Sequence, residues 1–334
     1  MAFLLKRNPK TPADLVRALN ELICKWDFSA DLKKYQDDSL RYLKQIKVIL
    51  HGDEELDPQP DQISALAQEV HATNLLSHLV NNLRKLDFDL RKDVFILFLA
   101  LLRRQIANDS PTVGYLLHHN DILVKLMKGP EFPDIALVCG QILRDCVKFE
   151  PINRFVLYHT LFWRFFKYVQ LPLFEVATDV FITLNSLLTV HKKLVGEFLS
   201  ANSVMFIEHM NELIRSDNYV VKRQSVKLLR ELVQLKLNMQ FLMTYFDDAK
   251  SLKIVMMLLS DNLKNVQMEG FHIFKFFVAK PKKSPKIIDI LAKNKDNFQH
   301  FFKNFDCSAS SPSLIEERDY ILQEIQKLEI ERPH

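Results

Sequence analysis

Five side chains that could recognise a partner recur along one helical stretch in the second half of the chain. They are Tyr219, Arg223, Lys227, Arg230 and Gln234. Spacings of three and four residues confine them to a sector about 80° wide, while Val226, Leu229 and Val233 face another way. Tyrosine and arginine are enriched at protein interfaces, because guanidinium groups pair with carboxylates and the phenol adds rigid apolar area. This set, the basic face, predicts either a protein-binding surface or an ordinary solvated helix face.

The sequence lacks the short motifs that position catalytic groups. No G-x-G-x-x-G, G-x-x-x-x-G-K or G-x-S-x-G pattern occurs. Leu143-Arg144-Asp145 is not a kinase catalytic loop, because no asparagine at the required spacing and no D-F-G accompany it. The side chains of His118 and His119 diverge by about 100° on a helix, and no Cys/His cluster accompanies them. We therefore predict no enzyme activity, no metal and no cofactor.

Lysines cluster at residues 280–286, in the sequence KPKKSPK. The cluster could bind phosphate or direct nuclear import, but we favour a solvated turn between helices, because no aromatic residues are interleaved with the lysines. With a sequence pI of 8.7, it motivates an alternative function, a general helical-repeat adaptor for transport or nucleic-acid binding. The formal net charge is only +4, however, and our prediction of partners excludes nucleic acid.

The composition excludes several classes of protein. Of 334 residues, 48% are hydrophobic and 26% are charged, which is typical of a globular chain. Only 6 are glycine, whereas nucleotide-binding α/β folds need glycines where the backbone approaches a phosphate. The 4 scattered cysteines indicate a reducing compartment. The longest apolar run, residues 94–102, cannot cross a bilayer, and the amino terminus does not resemble a signal peptide. We expect a cytoplasmic protein, with nuclear entry possible and no membrane partner.

Apolar residues recur with helical periodicity, and the helical pattern itself repeats. One predicted core position reads Leu102, Leu143, Leu184, Leu229 and Phe274, at intervals of 41 and then 45 residues. The position three residues earlier reads Leu99, Gly140, Phe181, Val226 and Phe271. The position four residues later reads Ile106, Val147, Leu188, Val233 and Val278. HEAT and armadillo repeats have periods of about 40–47 residues. The fold class is therefore predicted to be all-α, a HEAT/armadillo-like right-handed α-solenoid with a concave face lined by one helix per repeat.

We predict a single solenoid domain over residues 1–334. Residues 1–60 form N-terminal capping helices and an acidic loop, 61–305 the repeats, and 306–334 a C-terminal capping helix. Thr11-Pro12 gives the first helix an N-cap and a proline at its first position.

Four longer stretches resemble one known family. They are LLRRQIANDSPTVGY (101–115), PEFPDIALVCGQILRDCVKFEP (130–151), SDNYVVKRQSVKLL (216–229) and GFHIFKFFVAKPKK (270–283). Each matches, without large insertions, the calcium-binding protein 39 (Mo25-like) family of kinase scaffolds, and the resemblance spans about residues 11–305. It implies an all-helical solenoid without catalytic activity.

The resemblance also implies partners and sites. The family holds a STRAD-type pseudokinase, or Sterile-twenty-family kinases, in a closed active-like conformation on the concave face, and so activates a liver kinase B-like serine/threonine kinase. A Trp-Glu-Phe tail of the pseudokinase binds a separate C-terminal pocket. The matching pocket residues are Arg223 and Met256, with Lys293 a weaker match.

On the concave face, the residues that match the family are Phe174, Tyr219 and Lys227, which overlap the basic face. Two positions depart from the family pattern, since Lys236 and Met239 stand where the family typically has an Arg and a Phe that touch the activation segment of the liver kinase. Lysine cannot reproduce a bidentate guanidinium contact. The departures therefore bear on the contact with the liver kinase more than on pairing with a pseudokinase.

Overall fold

The protein is entirely helical over the residues described by the structure, which is a computed structural model. These residues are 11–25, 32–53, 57–106, 109–305 and 312–328. They form twenty α-helices and short 3₁₀ turns, and no β-strand occurs among them. The 3₁₀ turns are Leu83–Lys85, Gly129–Glu131, Thr160–Arg164 and Lys236–Asn238. The all-α prediction is confirmed.

The chain divides into two compact units at residues 191 and 192. The N-terminal unit contains α1 Pro12–Lys25, α2 Leu32–His51, α3 Pro60–Ala72, α4 Leu75–Asn81, α5 Phe88–Arg103, α6 Pro111–His118, α7 Asp121–Lys128, α8 Ala136–Cys146, α9 Glu150–Tyr158, α10 Phe165–Tyr168 and α11 Phe174–Thr189. The C-terminal unit contains α12 Lys192–Ala201, α13 Ser203–Ile214, α14 Tyr219–Val233, α15 Met239–Asp247, α16 Ala249–Leu259, α17 Lys264–Ala279, α18 Pro285–Lys293, α19 Lys295–Lys303 and α20 Pro312–Lys327. The predicted single domain over residues 1–334 stays a prediction.

Each unit is a stack of helical repeats. In the N-terminal unit α5 packs on α8 and α8 on α11, and in the C-terminal unit α14 packs on α17 and α17 on α20. Five of these helices, α5, α8, α11, α14 and α17, carry the repeating core positions. We call these five the third helices. Leu102, Leu143, Leu184, Leu229 and Phe274 are all at most 1% exposed, as the repeat register predicts. The fold is therefore the expected α-solenoid type.

The register fails in the first repeat. Ile106 was predicted to be a core residue, but it is 50% exposed. The reason is that α5 ends at Arg103, and Ile106 lies beyond it in a two-residue antiparallel bridge with Asp109. Helical spacing no longer decides where a side chain points once the helix has ended.

The predicted N-cap of α1 is confirmed. The Thr11 hydroxyl accepts a hydrogen bond from the backbone N–H of Asp14 at 3.1 Å, which satisfies one of the free donors at the start of the helix. Pro12 occupies the first helical position, where its missing N–H is harmless. The acidic loop ends at Pro60, where α3 begins. Among the described helices, none combines the length and apolar character that a membrane span requires.

Candidate partner-binding site

The basic face is carried by α14, whose local sequence fixes its start and its buried side. The Asn218 side chain caps the helix by accepting hydrogen bonds from the backbone N–H groups of Val220 at 2.9 Å and Val221 at 3.3 Å. Val226 and Leu229 are fully buried against neighbouring helices. This burial turns the opposite side of α14 outward, as the spacing predicted.

The cations of α14 divide into paired and free groups. Lys222 forms an ion pair with Asp261 at 3.4 Å, and Arg230 forms one with Glu269 of α17 at 2.7 Å. By contrast, Arg223 and Lys227 are exposed and make no hydrogen bond or ion pair within the described ranges. These two cations are therefore available to a partner.

The basic face, as residue spacing defines it, therefore includes a residue that is not available to a partner. Arg230 belongs to it by spacing, but its guanidinium already holds the carboxylate of Glu269 and is only 29% exposed at the side chain. Tyr219, 40% exposed, opens the helix on the same side as Arg223. The available set is Tyr219, Arg223, Lys227 and the exposed Gln234 that follows the helix.

Beside Arg230, a positive and a negative side chain neutralise each other by pairing. On α17, Lys275 donates to Glu317 of α20 at 2.8 Å. Burial lowers the pKa of the half-buried His272, Lys275 lowers it further, and Glu317 opposes the shift. His272 is therefore neutral at physiological pH, and the free positive charge of α14 lies at Arg223 and Lys227.

The predicted tail-pocket residues lie on three helices of the C-terminal unit. Arg223 is on α14, Met256 on α16 and Lys293 at the end of α18, and α16 packs against both α17 and α18. Met256 is half-buried and the adjacent Met257 is 66% exposed, so one of the two methionines points away from the core as predicted. Lys293 pairs on the surface with Asp289 of its own helix at 2.8 Å.

Lys236 and Met239 lie at a tightly anchored turn. The side chain of Asn238 is buried and donates to the backbone carbonyl of Leu232 at 2.8 Å. The carbonyl of Leu237 approaches Gly196 so closely that an added Cβ would stand 2.7 Å from it. The turn thus presents Lys236 and Met239 outward, the latter 56% exposed, on a rigid base.

Phe174 lies in the N-terminal unit. It is the first residue of α11, is 66% exposed, and follows Leu173, which is 51% exposed. An exposed aromatic ring at a helix start is an apolar contact point for a partner. The other seven predicted site residues belong to the C-terminal unit.

The lysine cluster at 280–286 covers the turn between α17 and α18 and the first two residues of α18, so most of it lies in a turn between helices, in agreement with the preferred interpretation. Lys280 pairs with Asp247 at 2.5 Å, and Lys283 donates to the carbonyl of Lys280 at 2.8 Å. Burial lowers the pKa of Lys283. Two of the four lysines are therefore engaged within the protein, which reduces the charge available to a phosphate backbone.

A cysteine, a histidine and an asparagine meet near the amino terminus, but they do not form a catalytic relay. The Cys24 thiol lies 3.7 Å from Nδ1 of His78, and the same Nδ1 lies 2.7 Å from Oδ1 of Asn20. A relay needs the two partners on opposite ring nitrogens. Burial also raises the pKa of Cys24, which disfavours the nucleophilic thiolate.

The remaining described cysteines and carboxylates show no reactive arrangement. Cys139 and Cys146 are buried free thiols of α8, and burial raises the pKa of Cys139 to about 12. Cys307 lies outside the described residues. Within the ranges that the structure describes, no three His, Cys, Asp or Glu side chains are placed to hold a metal ion.

Sequence reasoning missed the acidic partners of the third helices, although the signal was present. Lys222 and Asp261 are 39 residues apart, and so are Arg230 and Glu269. Opposite charges separated by about one repeat predict ion pairs between one third helix and the next, as for Arg230 and Glu269, or the turn before the next, as for Lys222 and Asp261. A search at that interval would have removed Arg230 from the basic face.

The sequence comparisons with known proteins indicate one family. The sequence profile described as Mo25-like matches residues 3–329. The human protein "Calcium-binding protein 39-like" is 39% identical over 334 residues, covering 99% of this chain and 98% of that protein. The "Mo25-like protein" of Schizosaccharomyces pombe is 37% identical, covering 98% and 100%. A solved HEAT-like repeat protein from Thermococcus onnurineus NA1 aligns over 96% of this chain and 99% of its own, with a TM-score of 0.44 and 12% identity. Matches of this extent and identity show that the chain belongs to the Mo25-like family.

Proposed function

We propose that this chain is a non-catalytic scaffold that binds a kinase-fold partner, a STRAD-type pseudokinase or a Sterile-twenty-family kinase, on its third helices. Membership of the Mo25-like family supports a protein-binding scaffold role. The observation that carries the proposal is the division of charge on α14. Arg223 and Lys227 are left free beside the exposed ring of Tyr219, although Lys222 and Arg230 on the same helix are paired.

Binding would act by shifting a conformational equilibrium of the partner. A scaffold that binds the closed, active-like state more tightly than the open state increases the population of the closed state. A hundredfold shift needs about 2.7 kcal/mol of differential affinity, which a few well-placed contacts provide. No chemical step on the scaffold is required.

A rigid surface suits this role. Asn218 fixes the start of α14, and the Arg230–Glu269 pair holds α14 to α17. Because the surface is ordered before binding, less conformational entropy is lost when the partner docks. Phe174 of α11 adds an exposed aromatic anchor in the N-terminal unit.

We further propose that a Trp-Glu-Phe tail of the partner binds at Arg223, Met256 and Lys293. Arg223 would pair with the acidic group of the tail, and the flexible thioether of Met256 would pack on an aromatic ring. Lys293 would exchange its exposed bond to Asp289 for the tail. That exchange is inexpensive, because an exposed ion pair within one helix contributes only about 0.3–0.5 kcal/mol.

Activation of a liver kinase B-like serine/threonine kinase is the most specific part of the proposal. Lys236, in the anchored turn before α15, and Met239, the first residue of α15, would face its activation segment. A lysine supplies a point charge there, where a guanidinium would supply a planar fork.

Calorimetry with the full-length chain and a peptide ending in Trp-Glu-Phe tests the pocket. We expect Arg223→Ala and Met256→Ala each to weaken binding at least tenfold, which is about 1.4 kcal/mol. Lys282→Ala, an exposed lysine of the 280–286 turn, is the matched control and should leave the affinity unchanged. Equal affinity of the wild type and both pocket variants would refute the assignment.

A salt titration of binding distinguishes the scaffold from the alternative, an adaptor for transport or nucleic-acid binding. Nucleic-acid binding weakens steeply with ionic strength, because it releases counterions from phosphates. Anchored binding of an aromatic tail is much less sensitive to salt. The internal bonds of Lys280 and Lys283 favour the scaffold.

A further inference from the structure

A groove on the C-terminal unit lies between α13 and α16. It encloses about 540 Å³, a size in the range of ligand and peptide pockets. None of the eight residues assigned to partner binding lines it. The groove therefore goes beyond the proposed function.

Of the four large apolar side chains that line the groove, two are buried and two are exposed. Ile207 and Ile254 form buried walls at 6% and 8% exposure, while Val204 and Met257 are each 66% exposed. Two large apolar side chains this exposed in one concavity indicate a surface that a partner covers. Met257 can adapt its shape to the side chain that enters.

A hydrogen-bond chain fixes the floor of the groove. The buried Asn211 of α13 donates through Nδ2 to the hydroxyl of Ser251 at 2.9 Å, and that hydroxyl donates to Oδ2 of Asp248 at 2.6 Å. This chain ties α13 to the start of α16. The groove is thus held open by the fold and does not need to form on binding.

The carboxylate of Asp248 is committed to the helix it caps. It accepts hydrogen bonds from the backbone N–H groups of Lys250 at 3.3 Å and Ser251 at 2.9 Å, at the positive end of the α16 dipole. Its negative charge is therefore largely compensated within the protein.

The charges that remain around the groove are predominantly positive. Arg215, Lys250 and Lys253 line it, against the single uncommitted carboxylate of Glu208. In the part of the chain that the structure describes, neither Lys250 nor Lys253 has an ion-pair partner. A partner that complements this surface must carry carboxylates around an apolar centre.

We infer that the groove between α13 and α16 binds an acidic segment of a protein partner that inserts one large aliphatic or aromatic side chain. The side chain packs between Val204, Ile254 and Met257, and flanking carboxylates pair with Lys250 and Lys253. This is a second docking site, separate from the site on α14.

The probe is a fluorescein-labelled peptide, Glu-Glu-Asp-Leu-Glu-Phe-Asp-Glu, titrated with the full-length chain and followed by fluorescence anisotropy. We expect saturable binding to the wild type. Two comparison peptides, one with Lys replacing every acid and one with Ser replacing Leu and Phe, should each bind at least tenfold more weakly. Absence of saturable binding, or equal binding of either comparison peptide, overturns the inference.

Variants of the chain locate the site. Val204→Asp and Lys250→Glu should each weaken binding at least tenfold, and both positions are exposed, so folding is preserved and is checked by thermal melting. Leu137→Asp in α8 and Lys286→Glu in α18 are the matched controls and should stay within twofold of the wild type. Equal losses in the control variants contradict the inference.

Two further experiments distinguish this site from the tail pocket and from a dimer interface. Arg223→Ala should leave binding of the acidic peptide unchanged, and Val204→Asp should leave binding of the Trp-Glu-Phe peptide unchanged. If Val204→Asp abolishes both, the groove is the tail pocket and the second site is refuted. If the wild type sediments as a dimer and Val204→Asp as a monomer, a second copy covers the groove, which also refutes the inference.

Discussion

The third helices α11 and α14 share a core register but present opposite chemistry to solvent. Helix α11 contains no lysine or arginine, and exposes Phe174 and Ile182 at 66% and 51%. Helix α14 exposes two unpaired cations beside Tyr219. Both helices bury a leucine completely at the same repeat position, Leu184 and Leu229. The repeat therefore dictates what faces the core and leaves the outward positions free to specialise.

The two helices also differ in whether their charged side chains form ion pairs with neighbouring repeats. Asp179 of α11 is held by Arg144 of α8 at 2.7 Å, and the same arginine donates to the hydroxyl of Thr183 at 2.8 Å. On α14 only part of the charge is held in this way, by Asp261 and Glu269. Paired charge joins neighbouring repeats, and unpaired charge is available for binding.

The largest expected effect tests the shared register. Leu184→Ala and Leu229→Ala each leave a cavity in a fully buried site, and each should lower the free energy of unfolding of its own unit by about 2–5 kcal/mol. Hydrogen exchange of the buried amides in each unit measures the loss. If either substitution cost less than about 0.5 kcal/mol, the two positions would not be equivalent.

Sequence reasoning predicted the core better than the surface. Periodicity located Leu184 and Leu229 because helical spacing and repeat length can both be read from the order of residues along the chain. It failed at Ile106, where α5 ends before the periodic pattern does.

On the surface, periodicity showed which side of α14 faces out, but it could not show that Arg230 is occupied. Its partner Glu269 lies one repeat away, and only packing of α14 on α17 brings them together. The groove between α13 and α16 was missed for the same reason, since its two walls come from different repeats.

The second prediction tests the distinction between paired and free cations. Arg144→Met would leave the carboxylate of Asp179, whose side chain is 14% exposed, without its guanidinium partner. We expect a loss of about 2 kcal/mol in the free energy of unfolding. Arg223→Met, the matched control on α14, should stay within about 0.5 kcal/mol. Equal losses for the two variants would mean that Arg223 is also structural.

The third prediction separates apolar from electrostatic contacts with a partner. With a STRAD-type pseudokinase as the probe, Phe174→Ala should weaken binding at least tenfold, about 1.4 kcal/mol, at both low and high salt. Lys227→Ala should weaken it about threefold at low salt and less at high salt, because exposed charges are screened. Surface plasmon resonance at two salt concentrations measures both. A salt-dependent loss for Phe174→Ala would contradict the assigned chemistry of α11.

The smallest expected effect is a pH dependence of stability, traced to one half-buried histidine in each unit. In the N-terminal unit, burial lowers the pKa of the half-buried His71, and Arg104 and His119 lower it further. Its ring stacks on Tyr115 at 4.8 Å between centroids. Because the Thr112 hydroxyl donates to the carbonyl of Leu101, Nε2 of His71 donates to that hydroxyl at 3.2 Å. Burial and the nearby charge of Arg104 disfavour the protonated ring, so the folded state holds His71 neutral at neutral pH.

The sign of the effect follows from this lowered pKa. In the unfolded chain a histidine binds its proton near pH 6.5, above the pKa of His71 in the folded state. As pH falls below about 6.5 the unfolded state takes up more protons, so stability present at neutral pH is lost. His71→Gln, which keeps an N–H donor for Thr112, should lose less stability between pH 7.5 and 5.5 than the wild type, as measured by thermal melting. In the C-terminal unit burial and Lys275 lower the pKa of His272, Glu317 raises it and Arg230 lowers it, so His272→Gln should also lose less stability than the wild type over this range. A loss as large as that of the wild type in either variant would contradict the lowered pKa of that histidine.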